Sequence, residues 1–457
     1  MIALRRLLPK VLQTISKTTT VVTTATMSST SGCSRQLDAS VLPQLDALLT
    51  PDVRRLCKMF LEREYEIRVV GGGVRDMFMD QPPKDIDLST TATPEQMVEL
   101  FTENEVRYIE TGLQHGTLTA HINDGDYEIT TLRIDTETDG RKAVVTYTTD
   151  WFVDAQRRDF TVNAMSVDVD GVLFDYFNGE KDLLDRKIRF VGQDDHRIKE
   201  DYLRILRYFR FFGKIGASVE SHQEETLATI KQLSSGLQQI AVERVWVEVK
   251  KILVGHNASH LLRLMYSLDV AANINLPECT EKHLADFEQV WNYTRGRNPE
   301  PVTLLCTLID TPNAARELST KWKLSNFERD LSVFITTHRH KAPACGTTPL
   351  KPYQDLIVGL SNVTSLELVR GKVIELLQYE GKLEEADEIR GWDVPVFPVT
   401  GLDLKRHGLK TGPPFGKTLN KLKEMWMDSY YQLSKESLLA EVDSLYAMFA
   451  ACGNKNK

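Results

Sequence analysis

One stretch, VVGGGVRDMFMDQPPKDIDL at residues 69–88, constrains the fold of this 457-residue chain more than any other. The segment Ile67–Val70 has three β-branched apolar residues around Arg68 and predicts a strand, and a helical pattern starts at Val74, after Gly71–Gly73. A glycine turn between a strand and a helix lets backbone N–H groups approach a phosphate closely. No Gly-Lys-Ser/Thr follows, which excludes a Walker loop, and Asp76 stands where a dinucleotide-binding GxGxxG would have its third glycine.

The end of this stretch, Asp85-Ile86-Asp87, supplies two carboxylates. On a strand, residues i and i+2 point to the same side, so the sequence predicts that both carboxylates share one face. Such a pair repels itself unless a cation lies between its members, and a divalent metal is the natural partner. Two metal ions can activate a hydroxyl and hold a leaving pyrophosphate. In isolation the pattern equally fits a solvated strand end; the glycine turn and Arg75 beside it favour the metal site.

Two further clusters carry polar groups suited to a nucleotide. In the segment RRDFTVNAM at residues 157–165, Arg158, Asp159 and Asn163 mix donors and acceptors as sugar hydroxyls require, although a surface charge cluster would look the same. In EDYLRILRYFR at residues 200–210, three arginines recur every third residue on one predicted helical face, and an aspartate shares that face: Asp201, Arg204, Arg207 and Arg210.

The ordinary interpretation of this helix is a solvated face with an ion pair between Asp201 and Arg204. The alternative is that the two residues read a base edge. A carboxylate accepts the amino proton of cytosine or adenine, and a guanidinium donates to the ring nitrogen. Uracil and guanine would leave these groups mismatched, which is a strong means of rejection.

The pattern along the chain predicts an α/β head and a helical remainder. Strand signals recur up to about Val169 and nearly vanish beyond Lys187, after which the periodicity is helical. Residues 194–214 and 322–339 each read as one helix, and residues 392–398 as a linker.

The N-terminus has the composition of a mitochondrial presequence. Its first acidic residue is Asp38, and residues 1–37 are rich in Arg, Ser and Thr. A plain disordered tail is the alternative, and Met27 offers a second start that would yield an untargeted form. No apolar run reaches the roughly 18 residues of a membrane-spanning helix, which excludes an integral membrane protein.

The net charge of −8 means that any nucleic-acid partner must be held by a local basic patch. One such patch lies near the C-terminus, with no acidic residue inside it, and a solvated face is its alternative interpretation; it contains Lys405, Arg406, Lys410, Lys417, Lys421 and Lys423. The glycines and prolines at residues 412–416 would precede a helix whose N-terminus could take a phosphate. The six cysteines form no CxxC pair, and His256 and His260 lack a third ligand nearby, so a zinc site is not expected.

At these motifs the sequence resembles the class II tRNA nucleotidyltransferases, the CCA-adding enzymes of the polymerase-β-like superfamily, and within them the animal mitochondrial and cytosolic type. GGGVRD with DID, RRDFTVNAM, EDYLRILRYFR and the later ERVWVE at residues 243–248 are similar to the family motifs in order and spacing. The resemblance is clear over roughly residues 65–270 and looser beyond.

The resemblance implies an α/β nucleotidyltransferase head at residues 35–185, after a presequence at 1–34. All-α neck (186–270), body (271–395) and tail (396–457) domains would follow in a seahorse-like shape. It also implies template-independent addition of C, C and A to the tRNA 3′ end from CTP and ATP, with Mg²⁺ as cofactor. The tRNA would be held at its 3′ end and elbow; a homodimer is left open.

The same resemblance implies roles for individual residues. Asp85 and Asp87 would be the catalytic metal carboxylates, and Glu128 a third carboxylate beside them. The CTP or ATP site would comprise Gly72 and Arg75 for the triphosphate, Arg158 and Asp159 for the ribose, Asp201 and Arg204 as base template, and Arg207 and Arg210 near the triphosphate. The basic patch of the tail would bind tRNA, and Gly140 would be the hinge of a loop at 134–149.

Three rival functions remain open within the class: A-adding, CC-adding and poly(A)-adding transferases. A non-catalytic RNA-binding module is the rival from another class. The Asp85/Asp87 pair argues against it, because a binding module gains nothing from two mutually repelling carboxylates.

Overall fold

The computed structural model describes residues 33–453 apart from 83–84, 113–114, 139–142, 219–220, 340–347 and 362–364. The chain divides into two compact units, with the boundary between Leu276 and Pro277. Nearly all of the predicted presequence, together with Met27, lies outside the described residues, and so does the predicted hinge Gly140. The finer division into head, neck, body and tail stays a prediction.

The first unit contains all ten strands of the described chain. They are β1 (Ser34–Gln36), β2 (Ile67–Val70), β3 (Asp87–Thr90), β4 (Arg107–Gly112), β5 (Thr117–Ile122), β6 (Gly125–Thr131), β7 (Arg133–Thr138), β8 (Ala143–Tyr147), β9 (Ser166–Val167) and β10 (Val172–Phe174).

Eight of these strands form one mixed sheet in the order β1-β10-β9-β2-β3-β6-β5-β4, and β7 pairs with β8 as a separate hairpin. Neighbours in the large sheet are antiparallel except β3 and β6, which run parallel with Asp87 opposite Glu128. Strand β2 is buried along its whole length, Arg68 included. The glycine turn therefore leaves the sheet from its interior.

The described part of the first unit has twelve helices. They are α1 (Leu42–Leu48), α2 (Pro51–Leu61), α3 (Gly72–Phe78), α4 (Pro94–Glu103), α5 (Trp151–Gln156), α6 (Gly179–Leu184), α7 (Asp194–Glu200), α8 (Leu203–Ile215), α9 (Glu224–Leu233), α10 (Val242–Leu253), α11 (Ala258–Ser267) and α12 (Val270–Asn273). Short 3₁₀ turns lie at Thr161–Asn163 and Ser234–Gln239.

The described part of the second unit is helical throughout, as the sequence predicts beyond residue 187. Its helices are α13 (Glu281–Thr294), α14 (Pro301–Leu305), α15 (Pro312–Lys321), α16 (Asn326–His338), α17 (Lys351–Leu360), α18 (Leu366–Tyr379), α19 (Leu383–Gly391), α20 (Gly401–Arg406), α21 (Pro413–Asp428), α22 (Lys435–Ala440) and α23 (Val442–Gly453), with a 3₁₀ turn at Cys306–Leu308. Among the described residues, no helix is both long and apolar enough to cross a membrane.

The single helix predicted over residues 194–214 is wrong, because the chain breaks into α7 and α8 at Asp201. The backbone of Asp201 is extended, with φ −153° and ψ 105°. Its side chain accepts a hydrogen bond from the backbone N–H of Leu203 at 3.1 Å. The Asp201 side chain thus bonds the backbone two residues on, in a turn that ends the first helix just before the second begins.

Three smaller predictions also differ from the structure. The strand signal that ends near Val169 corresponds to a 3₁₀ turn at Thr161–Asn163 followed by the two-residue β9. Strand β3 begins at Asp87, so Asp85 precedes the strand. The residues at 412–416 do not precede a helix, because α21 already begins at Pro413. Proline is favoured at a first helical position, since its missing N–H would have no partner there.

Candidate active site

A cavity of about 1000 Å³ in the first unit brings the three motifs together. Its wall includes nearly all the predicted site residues of this unit: Gly72, Arg75, Asp85, Asp87, Arg158, Asp159, Asp201, Arg204, Arg207 and Arg210. Glu128 is exposed and is not part of the wall. Segments more than a hundred residues apart in the chain therefore face a single space.

One side of the cavity is acidic. Asp87 opens β3 and Asp85 lies two residues before it, yet both line the cavity. Burial raises the pKa of the Asp87 carboxyl, and the neighbouring charges of Glu128 and Asp85 raise it further, while Arg158 opposes them. Three carboxylates thus share one electrostatic neighbourhood, which a bound cation would relieve.

This donor set fits Mg²⁺ in an open site. Magnesium prefers oxygen ligands and is usually bound through one or two carboxylates together with substrate phosphates and water. No group of three His, Cys, Asp or Glu in the described residues is close enough to enclose a metal ion by itself. Asp85 and Asp87 accordingly offer two carboxylates and leave the other ligand positions to a substrate.

The glycine turn brings backbone close to an arginine. Gly71 has φ +63° and ψ −115°, and a Cβ there would lie 3.1 Å from Nη1 of Arg158. Only glycine adopts this conformation without strain and leaves this space. Helix α3 then begins at Gly72, and the Arg75 side chain is buried, where it donates to Asn163 Oδ1 at 2.6 Å and to Asp76 Oδ1 at 3.0 Å.

Asp159 is engaged inside the protein on both of its oxygens. Its Oδ1 accepts from Asn163 Nδ2 at 3.0 Å and from the Phe160 N–H at 2.9 Å, and its Oδ2 accepts from Arg207 Nε at 2.7 Å. Burial alone would raise its pKa, but Arg207 and these hydrogen bonds outweigh it and lower the pKa. Asp159 therefore orients Arg207, and the ribose contact predicted for it stays a prediction.

Arg158 keeps part of its hydrogen-bonding capacity. Its contacts are long: Nη2 lies 3.2 Å from Asp154 Oδ2 and 3.4 Å from Ser89 Oγ, and Nη1 lies 3.3 Å from the Asn163 carbonyl oxygen. The side chain also faces the cavity. It is the better placed of the adjacent pair to contact a ligand directly.

The ion pair expected between Asp201 and Arg204 is not formed. Asp201 Oδ2 instead accepts from Arg244 Nη2 at 2.8 Å. Arg204 Nη1 donates to Glu200 Oε2 at 2.6 Å and to the Arg197 carbonyl oxygen at 2.7 Å. The break before α8 separates the two partners, and each is held by another residue at the cavity wall.

The remaining arginines are also paired with acids. Arg210 Nη1 lies 3.1 Å from Glu248 Oε1, and Arg207 Nη1 lies 3.9 Å from the same oxygen. Burial lowers the pKa of Arg210, partly against the charge of Glu248. A guanidinium nevertheless stays protonated, so this side of the cavity is positive and suited to an anion.

Several cavity residues were missed by sequence reasoning: Asp76, Phe211, Lys214, Arg244, Lys251 and His256. Lys214 donates to Asp76 Oδ1 at 2.7 Å. A signal existed for two of them, since Phe211 and Lys214 continue the face of Arg204 and Arg207 at helical spacing. Arg244 stands in the recognised ERVWVE motif, but its contact spans 43 residues, which spacing alone does not reveal.

The basic patch lies in the second unit and is mostly solvent-facing. Lys405, Arg406, Lys410 and Lys417 are exposed. Lys421 is half-buried and lies 2.9 Å from Glu424 Oε2. Lys423 points inward and donates to the Val358 carbonyl oxygen at 2.7 Å, which removes it from the patch.

In comparisons with known proteins, two family models match the segments of the chain that contain most of the motifs. The model of the poly A polymerase head domain matches residues 67–189, and that of the probable RNA and SrmB-binding site of polymerase A matches residues 223–282. The mitochondrial CCA tRNA nucleotidyltransferase 1 of Homo sapiens is 43% identical over 88% of this chain and 92% of its own length. The CCA-adding enzyme of Streptococcus uberis is 29% identical over 81% and 90%.

Solved structures agree on the fold. The CCA-adding enzyme of Bacillus stearothermophilus in complex with CTP aligns with a TM-score of 0.67 at 24% identity, covering 91% of this chain and 98% of its own. The CCA-adding enzyme of Thermotoga maritima complexed with tRNA aligns with a TM-score of 0.62 at 20% identity, covering 90% and 99%.

Proposed function

Because the chain belongs to the CCA tRNA nucleotidyltransferase family, we propose that it adds C, C and A to the 3′ end of tRNA from CTP and ATP, without a nucleic-acid template. The observation that carries the proposal is the single cavity in which carboxylates, arginines and the candidate base-reading pair of Asp201 and Arg204 face one another. Nucleotidyl transfer needs metal binding, phosphate binding and base selection at one place.

In this reaction the 3′ hydroxyl of the tRNA attacks the α-phosphorus of the nucleotide, and pyrophosphate leaves. Asp85 and Asp87 would hold Mg²⁺, with Glu128 adding negative charge nearby. When bound, the metal supplies acidity to the attacking hydroxyl and neutralises phosphate charge. Arg75, Arg207 and Arg210 would neutralise the triphosphate, and their acid partners fix them before it binds.

Selection of the base would fall to Asp201 and Arg204. Asp201 accepts the amino proton that cytosine and adenine share, and Arg204 donates to the ring nitrogen beside it. Their present partners, Arg244 and Glu200, hold both groups at the cavity wall. Uracil and guanine would leave the carboxylate or the guanidinium unmatched, which costs binding.

The remaining proposals concern the whole protein. The exposed lysines of the tail would grip the tRNA backbone, toward its elbow. Relatives at about 43% identity are named mitochondrial, and together with the basic N-terminal composition this supports a mitochondrial location. A second form starting at Met27 would lack the targeting segment, and a homodimer is the oligomer to test by light scattering.

The test uses tRNA that ends at the discriminator base, magnesium, and CTP, ATP, UTP and GTP singly and together, with product length read on a sequencing gel. We expect two additions with CTP alone, a third only when ATP is also present, and none from UTP or GTP. The double variant D85A/D87A should give no product while its thermal unfolding stays close to that of the unchanged protein.

Other outcomes would identify the rivals. Two additions without a final A would make the protein a CC-adding enzyme, and addition of A alone to tRNA that already ends in CC would make it an A-adding enzyme. A long ladder of A would make it a poly(A) polymerase, the activity named by the matching head-domain model. Bound tRNA without any extension would make it a binding module.

A further inference from the structure

Phe211 is an apolar side chain in a strongly charged cavity. It lies on α8, on the face that also carries Arg207 and Lys214, and it is 6% exposed. Leu203 is the other large apolar side chain among the described residues of the cavity wall. A buried aromatic ring at the edge of a phosphate-binding surface calls for an explanation beyond filling the core.

Three guanidinium groups surround this ring. The Cζ atom of Arg210 lies 4.5 Å from the ring centroid of Phe211, that of Arg75 5.0 Å and that of Arg207 5.4 Å. Cations within about 6 Å of a ring centroid are attracted by the π-face, most strongly where water is excluded. The three arginines come from α3 and from two turns of α8, so the ring gathers charges from separate elements.

The ring is itself fixed from behind. Phe160, which is fully buried, packs against it edge-to-face, with centroids 5.4 Å apart and an interplanar angle of 65°. Each guanidinium has its own acidic partner as well, namely Asp76, Asp159 and Glu248. Salt bridges thus hold each arginine from outside, and Phe211 holds all three on one common centre.

We propose that Phe211 is a positioning residue that spaces Arg75, Arg207 and Arg210 for the phosphates of the incoming nucleotide. This inference rests on the proposed function, because it assigns the triphosphate to these arginines. Like-charged guanidiniums repel one another, and the ring adds an attraction toward one common centre to the separate acid partners that hold them. The ring lowers that cost and keeps the positive surface assembled in the empty cavity.

The test compares Phe211→Leu, Phe211→Tyr and the control Phe209→Leu, which removes a fully buried ring from the same helix without a guanidinium partner among the described contacts. Binding of pyrophosphate, CTP and ATP in the presence of magnesium is measured by titration calorimetry without tRNA. We expect F211L to bind all three about tenfold more weakly. We expect F211Y to stay within about twofold of the unchanged protein, and F209L likewise.

Each outcome decides the inference. Unchanged pyrophosphate affinity in a folded F211L would overturn it, and weaker CTP and ATP binding with unchanged pyrophosphate binding would make the ring a base-stacking platform instead. If F211L does not fold by circular dichroism, F211M fills a similar volume without a ring and carries the same expectation. Failure of the unchanged protein to extend tRNA would overturn the proposed function but not this result, because the titration contains no tRNA. If the unchanged protein binds no pyrophosphate, the inference itself is wrong.

Discussion

At the scale of single residues, several charged groups of the cavity already have partners within the protein. Asp159 shows this most clearly, since both its oxygens accept hydrogen bonds from protein groups. Charged groups held in this way need little rearrangement when a substrate binds. This lowers the reorganisation cost of reaching the transition state.

Asp159→Asn should destabilise the protein at pH 7 by about 3 kcal/mol, because Arg207 loses its buried partner. The pKa of Asp159 is lowered in the folded state, so its ionised form contributes stability above its ordinary pKa near 3.8, and this contribution is lost as the pH falls through the lower folded value. Urea unfolding at several pH values should therefore show the two proteins converging below about pH 4. Asp170→Asn at an exposed site is the charge-matched control, and a constant difference at all pH values would contradict the prediction.

Gly71→Ala should destabilise the fold by about 1–2 kcal/mol, because alanine is strained at φ +63°. It should also raise the KM for CTP roughly fivefold, because the new Cβ would displace the Arg158 guanidinium. Gly192→Ala is the matched control: its φ is +83° and its Cβ would meet nothing within 4 Å. Urea unfolding and steady-state kinetics check both parts, and an equal rise in KM for the two variants would disprove the displacement.

Local sequence motifs predict that some of these residues share a site, but they do not predict this for others. Asp85, Asp87 and Arg75 lie within a few residues of one glycine turn, so a motif can place them together. The Asp201–Arg244 contact joins residues 43 positions apart, and no spacing rule predicts it. The roles of these residues in catalysis remain predictions until the variants are measured.

At the scale of elements, the sequence pattern does not predict the break between α7 and α8. The helical periodicity runs through residues 194–214 without interruption, and Asp201 is compatible with a helical surface. Only its side-chain bond to the Leu203 N–H and its extended backbone reveal that it ends one helix just before the next begins. Competition between a side chain and the backbone for one donor depends on conformation, which periodicity does not encode.

A second feature at this scale is the buried side chain of Glu375 on α18. This side chain links α18 to α14 by a hydrogen bond. Its Oε2 accepts from the Thr303 hydroxyl at 2.5 Å and from the Glu300 N–H at 3.2 Å. Burial outweighs these bonds and raises the pKa of Glu375 to about 7. Between about pH 4.5 and pH 7, the folded state therefore keeps Glu375 protonated, whereas the unfolded chain has already released that proton.

Glu375→Gln should remove a pH-dependent penalty. Because the folded pKa is raised, Glu375 costs stability increasingly as the pH rises from about 4.5 through 7, and the full cost is present above that. Relative to the unchanged protein, E375Q should gain about 3 kcal/mol between pH 5 and pH 8. Thermal unfolding of the second unit measures this; Glu367→Gln, exposed on the same helix, corrects for net charge. A difference independent of pH would show that Glu375 is not the titrating group.

At the scale of the whole molecule, the proposed function requires an acidic chain, with a net charge of −8, to bind a polyanion. The exposed Lys405, Arg406 and Lys410 provide a local exception to that charge. Composition could predict such a patch, but it could not show that Lys423 turns inward to the Val358 carbonyl. Burial of a lysine depends on packing, and the helical pattern alone does not determine it.

The triple variant K405Q/R406Q/K410Q should raise the KM for tRNA about tenfold at moderate salt and leave the KM for CTP unchanged. The slope of log affinity against log salt concentration should become shallower by about 2. With fewer phosphate contacts, binding of the variant releases fewer counterions from the RNA. Filter binding at several salt concentrations checks this. The double variant K282Q/K321Q, at exposed lysines elsewhere in the second unit, should leave the slope as it is; an equal change there would mean that overall charge, and not this patch, governs binding.

The parallel pairing of β3 with β6 also governs when the site comes into existence. The register that sets Glu128 opposite Asp87 can form only after the chain between Thr91 and Asp124 has folded back on itself. Contacts between strands so distant in sequence carry a large loop-closure cost and form late on a folding pathway. A nascent chain would therefore acquire its local glycine turn early and its full cluster of carboxylates only near the end. Under the proposed function, incompletely folded copies would lack the electrostatic environment that favours a cation at Asp85 and Asp87, and would therefore not act on tRNA prematurely.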